Sequence, residues 1–268
     1  MANRMATSAA QEAKNNRLFQ ALARLGYAVN GLLHLLIGAI AISVATGAGG
    51  AEADQSGALG QLAATPGGRI LLWVVVVGLA ALGVWQFVVG LLARGSDTKS
   101  KWAHRAAEWG KAVAYLAIAA TAFSFAIGGS TNAAQSTGGF ASGLVATTGG
   151  VIVLVVLGLG IAGIGLYFVI KGARRKFTDD ITVPPTVGGA VVVLGVVGYI
   201  AKGIALAVTG AVFVIAGLTI DPSKATGLDG ALKALVSLPY GPAILWLVGA
   251  GLIAYGLYCF ARARLARL

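Results

Sequence analysis

The sequence predicts an all-α polytopic membrane protein: six transmembrane helices forming three parallel two-helix repeats with pseudo-threefold symmetry. Three observations carry that expectation. Of 268 residues, 57% are hydrophobic and only 11% charged, with 40 glycines and a mean hydropathy of +0.85, whereas soluble domains carry about 25% charged residues. Six apolar stretches each approach the roughly 20 residues needed to cross a bilayer. Glycines and aromatics then recur at fixed offsets along the chain. Disorder is excluded because it needs low hydrophobicity and high charge density, and a collagen-like chain is excluded by six prolines without a strict glycine period.

The stretches are 25–46, 70–93, 112–129, 151–170, 190–219 and 243–261. The first follows a basic segment, but its apolar run from Leu25 to Val44 exceeds the roughly 7–15 residues of a signal-peptide core. It therefore reads as a retained helix. The second, fourth and sixth each follow a turn: Thr65-Pro66-Gly67-Gly68, Thr147-Thr148-Gly149-Gly150 and Leu238-Pro239-Tyr240-Gly241. The fifth contains Lys202, and the sixth contains Cys259, the chain's single cysteine, so no internal disulfide forms. A transmembrane barrel would alternate polar and apolar residues, yet Leu71-Leu72-Trp73-Val74-Val75-Val76-Val77 is apolar all round. The intervening loops, 47–68, 130–150 and 220–241, are rich in small residues and sparsely charged, and two forms stay open for them: a cap, or short re-entrant or surface helices.

Orientation follows from the basic residues, which collect on the cytoplasmic side. One side receives Arg4, Lys14, Arg17 and Arg24, then Arg94, Lys99, Lys101, Arg105 and Lys111. It also receives Lys171, Arg174, Arg175 and Lys176, and finally Arg262, Arg264 and Arg267. The other side has Arg69, Lys224 and Lys233. Both termini are thus expected in the cytoplasm, with the protein in a cell inner (plasma) membrane. Clusters this short suit anionic lipid headgroups as partners, and nucleic acid is not expected.

The repeat is read at about 18–94, 102–172 and 188–263 within a single membrane domain, 1–268. Counted from the last glycine of each turn, Gly78, Gly160 and Gly251 are equivalent, as are Gly83, Gly165 and Gly256, and Trp85, Tyr167 and Tyr258. The last trio suits an interfacial aromatic belt. Among the odd helices, Gly26-Tyr27 and Gly31 match Gly198-Tyr199 and Gly203, while Gly110, Tyr115 and Ala122 form a weaker echo. On this register Ala114 takes the place of Asn30 and Lys202, and Glu108 that of Arg24. With two spans per unit, all units point the same way, unlike inverted transporter repeats.

The paired helices, the Gly-Tyr-x-x-x-Gly pattern at 26–31 and 198–203, the loop Gln55-Ser56-Gly57-Ala58-Leu59 and the small-residue turns together resemble the bacterial domain of unknown function 1206 family. The resemblance runs from about 18 to 265 and departs in the middle copy, where Lys111 stands for tyrosine. It implies three hairpins in a bacterial inner membrane and no catalytic residues.

The chemistry is sparse. Gly158-Leu159-Gly160-Ile161-Ala162-Gly163 matches a dinucleotide fingerprint, but that motif needs a preceding strand, and here it lies mid-span, where glycines serve packing. Two histidines and no metal-ligand spacing leave neither metal nor cofactor expected, and no enzyme. The candidate polar pathway is Asn30, His34, Glu108 and Lys202. Asn30 and His34 share a helix face. For Lys202 three fates stay open: snorkelling to the headgroups, pairing with Glu108, or binding an anion or relaying protons. The leading functional expectation is a protein that conducts or binds a small solute, ion or lipid. The competing one is a structural or assembly partner that packs its glycine faces on another membrane complex.

Overall fold

A computed structural model describes residues 16–49, 51–92, 98–183 and 188–267. Arg4, Lys14 and Arg94 of the orientation argument lie outside them. The long helices are α1 (Arg17–Ala45), α3 (Gly68–Leu91), α4 (Thr98–Ala126), α6 (Gly150–Ala173), α7 (Gly188–Leu218) and α9 (Gly241–Leu265). Each contains a segment long and apolar enough to span a membrane. Three shorter helices, α2 (Gln55–Ala64), α5 (Ala133–Val145) and α8 (Gly227–Val236), occupy the three loops. Every repeat is therefore span, short helix, span. Helix α4 begins well before the apolar stretch at 112–129 because Lys, Arg, Glu and Ala are good helix formers in water as well as in lipid, and hydropathy does not register them.

The turn before each second span has one solution used three times. Gly67, Gly149 and Tyr240 adopt left-handed φ values of 77°, 86° and 60°. The next residue is glycine in all three copies, because a side chain there would strike the carbonyls of Leu62, Leu144 or Leu235.

The chain divides into two compact units. In the unit comprising Gly31–Gln61 and Ser130–Tyr258, α6 packs on α7 and the adjoining part of α9 packs on α1. A Cβ on Gly165 would stand 2.6 Å from the carbonyl of Gly203, and one on Gly256 would stand 2.7 Å from that of Gly31. Gly158 meets Gly210 in the same way, and Gly249 meets Gly38. In the unit comprising Met1–Asn30, Leu62–Gly129 and Cys259–Leu268, α3 packs on α4, with Gly83 against Ala112 and Leu116. The second span of each repeat thus packs on the first span of the next, and the last repeat packs on the first.

These equivalent contacts set the register of the repeats. Ala112 occupies the place of Gly31 and Gly203, so Lys111 stands at the place of Asn30 and Lys202. Arg105 takes the place of Arg24, and Glu108 that of Tyr27 and Tyr199. A second contact agrees: Gly90 faces the Cβ of Glu108 as Gly172 faces that of Tyr199. The sequence register, anchored on Gly110, is three residues out, about 4.5 Å along the helix. Its anchor misleads because a side chain on Gly110 would meet nothing within 4 Å, whereas alanine serves at the true packing positions.

The aromatic trio also differs from the belt expected of it. Tyr167 is exposed, but Trp85 and Tyr258 are buried. Trp85 joins Ala23, Tyr27, Leu82 and Ala266 in one core cluster, while Tyr258 packs against Phe177 and Tyr199.

Two glycines of α6 test the packing argument. Gly165→Ala brings a methyl to about 2.5 Å from the Ala207 backbone and is expected to destabilise by about 1–3 kcal/mol, as overpacked cores do. Gly163, with nothing within 4 Å of an added Cβ, accepts alanine without loss. Thermal melting of both variants in detergent checks the contrast.

Candidate functional site

In the unit holding Ser130–Tyr258, Lys202, near the middle of α7, is surrounded by a cluster of aromatic rings. Its Nζ donates a 3.3 Å hydrogen bond to the Tyr255 hydroxyl. It also lies 4.3 Å from the Tyr255 ring centroid and 5.4 Å from that of Phe168. The His34 ring packs 4.7 Å from Tyr255. Helices α1, α6, α7 and α9 each contribute one of these side chains, and glycine allows the approach: a Cβ on Gly198 would lie 2.5 Å from the Tyr255 Cα.

The rings continue outward. Tyr255 meets Tyr199 edge-on at 5.3 Å, and Tyr199 stacks on Phe177 at 5.2 Å. Phe177 sits in a short 3-10 turn, Lys176–Asp180, and its carbonyl accepts from the Tyr258 hydroxyl. At the outer edge Lys171 pairs with Asp180 at 2.8 Å and lies 5.6 Å from the Tyr199 ring. Two cations are thus joined through a run of aromatic faces. An ammonium within a spanning segment costs about 3 kcal/mol on insertion scales; each cation–π contact returns about 0.5–2 kcal/mol, rising with burial.

The other sequence candidates have local partners. In the unit containing Met1–Asn30, the Asn30 amide donates to the sulfur of buried Cys259 at 3.4 Å. Glu108 pairs with Lys111 at 2.5 Å, one turn away on α4. Arg24 donates to the Arg264 carbonyl and Arg105 to that of Leu91. These arginines are equivalent in the structural register and cap equivalent carbonyls. Sequence reasoning reached Lys202 and His34 but missed Tyr255, Phe168 and Tyr199. A signal was available in Tyr258 near the end of α9, read as part of an interfacial belt.

A second polar cluster ties the short helices together at the other end of the same unit. The Ala53 amide donates to Asp229 Oδ1 at 2.8 Å, and Lys233 donates to Asp229 Oδ2 at 2.7 Å. Asp54 accepts from the Gly57 amide at the start of α2, and Glu52 accepts from the Asn132 side chain. Burial, reinforced by the neighbouring carboxylates, pushes Glu52 and Asp54 above the usual carboxylate range. Among the described residues no group of three His, Cys, Asp or Glu is arranged to hold a metal ion.

Those shifts set the sign of a pH effect. A carboxylate raised in the folded state holds its proton more tightly than the unfolded chain does, so stability falls as pH rises through its folded value. Asp54→Asn keeps the acceptor for Gly57 and removes the charge. Its melting temperature is expected to decline less than that of the wild type between about pH 4 and about pH 7. Asp221, lowered by bonds from Ser223, contributes with the opposite sign but equally in both proteins.

The family model described as Domain of Unknown Function (DUF1206) matches the chain three times, over residues 25–93, 108–175 and 197–266. The uncharacterized protein YxxB of Bacillus subtilis (strain 168) is 29% identical over 245 residues, covering 89% of this chain and 88% of that protein. No solved structure matches the chain.

Proposed function

The chain belongs to the DUF1206 family, and on that premise we propose that it is a non-enzymatic multi-pass membrane protein that binds and conducts a small anionic solute at Lys202, Tyr255 and His34. The observation that carries the reading is the mid-span ammonium set in aromatic rings beside an imidazole. Ionisable groups at such depth face protein or a hydrated path and mark routes for ions and protons. Lys202 supplies the positive charge for an anion, the Tyr255 hydroxyl a second donor, and the His34 imidazole a further hydrogen-bonding group. The protein sits in the plasma membrane with both termini in the cytoplasm, the side on which basic residues accumulate.

A second reading, attachment to another membrane complex, draws on α6. Its Gly160 and Gly163 stand in open space beside exposed Ile152, Val156 and Leu166. Under that reading Gly163→Leu dissociates a larger assembly on native gels without lowering the melting temperature.

Flux assays in liposomes test the leading reading. With a membrane potential set by potassium and valinomycin, anion-dependent flux through wild type is expected to fall at least about tenfold in Lys202→Met, the effect of removing one charge-assisted hydrogen bond. Lys202→Arg is expected to retain part of it. Unchanged flux in Lys202→Met, with an unchanged melting temperature, refutes the reading.

A further inference from the structure

At the basic end of α4, in the unit containing Leu62–Gly129, cations and rings form a second arrangement. Arg105 uses Nη2 to reach the Leu91 carbonyl at 3.3 Å, and its guanidinium lies 5.3 Å over the Trp102 ring. Its Nε is buried and has no hydrogen-bond partner. Trp102 meets Trp109 edge-on at 6.5 Å, and Trp109 stacks on Phe87 at 5.9 Å while its indole N–H donates to the Phe87 carbonyl. Gly90 makes room, since a Cβ there would lie 2.5 Å from the Trp109 ring. Trp102 and Phe87 are each about half exposed, at 54% and 49%.

We propose that this place, formed by Arg105, Lys101, Trp102, Trp109 and Phe87, is a binding site for the headgroup of an anionic phospholipid. Three features select that occupant. From Thr98 to Lys111, α4 carries Lys99, Lys101, Arg105 and Lys111 against a single acid, Glu108, which is taken by Lys111. The excess is positive and meets a phosphate. The aromatic ladder runs along the span from the cation toward the hydrocarbon, so the same ligand presents an anionic head and an apolar body, which a free anion does not. The site also lies at the first turns of α4 beside the end of α3, the place along a spanning helix at which indoles and arginines sit against headgroups.

The repeats contain their own comparison. Arg24 is equivalent to Arg105 and caps Arg264 as Arg105 caps Leu91, but residue 21, equivalent to Trp102, is alanine. In the third repeat the arginine itself is replaced by Val196. Among the described residues, only the α3–α4 copy joins guanidinium to indole.

The test is native mass spectrometry of the full chain released from micelles holding equal phosphatidylglycerol and phosphatidylcholine. Wild type is expected to retain phosphatidylglycerol preferentially. Lys101→Gln, which leaves the Arg105 cap intact, lowers that retention roughly five-fold, the value of one basic residue near an anionic surface. Arg105→Gln removes the preference, and Arg105→Lys restores part of it. Arg264→Gln with Arg267→Gln, at the other basic end of the unit, leaves retention unchanged. Equal retention of the two lipids by wild type overturns the proposal, as does equal loss in the Arg264/Arg267 variant, which means diffuse charge. Displacement of the lipid by millimolar inorganic phosphate also overturns it, because the site then selects a free anion. If Arg105→Gln fails to fold, Lys101→Gln alone decides.

Discussion

Close approach of helix backbones is the constraint on which the structure depends. Lipid offers no hydrophobic drive to press helices together, so contact comes from dispersion and from carbonyls brought near the facing chain, and both vanish when a side chain intervenes. Glycine faces glycine where α6 meets α7, at Gly158 with Gly210 and Gly165 with Gly203. The same faces meet where α9 meets α1, at Gly249 with Gly38 and Gly256 with Gly31. Alanine and leucine serve where α3 meets α4. A two-span unit cannot bury both faces by itself, so each repeat borrows its partner surface from the next.

The interface also determines where polar chemistry sits. Because the first spans stand in one register, Asn30, Lys111 and Lys202 occupy one structural position, and each is matched to a different environment: a sulfur for Asn30, a carboxylate for Lys111, aromatic faces for Lys202. Equivalent scaffolding has thus been filled with three chemistries. The Lys202 version is the one that places a charge among rings at mid-span, and it depends on Gly198 and Gly195 to admit Tyr255 and Phe177.

Much of this was legible in the chain itself. Six apolar runs, three copies of one turn and the fixed glycine offsets of the second spans follow from bilayer thickness and backbone sterics, which act within a few residues. The register of the middle first span was not legible, because Ala112 and Ala119 fill packing positions that glycine fills elsewhere, and a lone glycine at 110 drew the alignment to itself. The surroundings of Lys202 were hidden for another reason: Tyr255 lies 53 residues away, and no local pattern announces a contact made through tertiary packing. Trp85 and Tyr258 resembled belt residues by position along the helix, whereas burial depends on which neighbour covers that face.

Reuse of one interface, with the last repeat packed on the first, is the central claim, and disulfide trapping tests it most directly. A Cβ at position 249 would lie 2.9 Å from Cγ1 of Ile42, and one at position 158 would lie 2.8 Å from Cγ2 of Val214. Both pairs therefore fall near the roughly 4 Å Cβ separation that a disulfide needs. In a Cys259→Ser background, Ile42→Cys with Gly249→Cys and Val214→Cys with Gly158→Cys are expected to form intramolecular bridges with similar ease under mild oxidation. A bridge between 158 and 214 together with none between 42 and 249, or one only between separate molecules, contradicts the account.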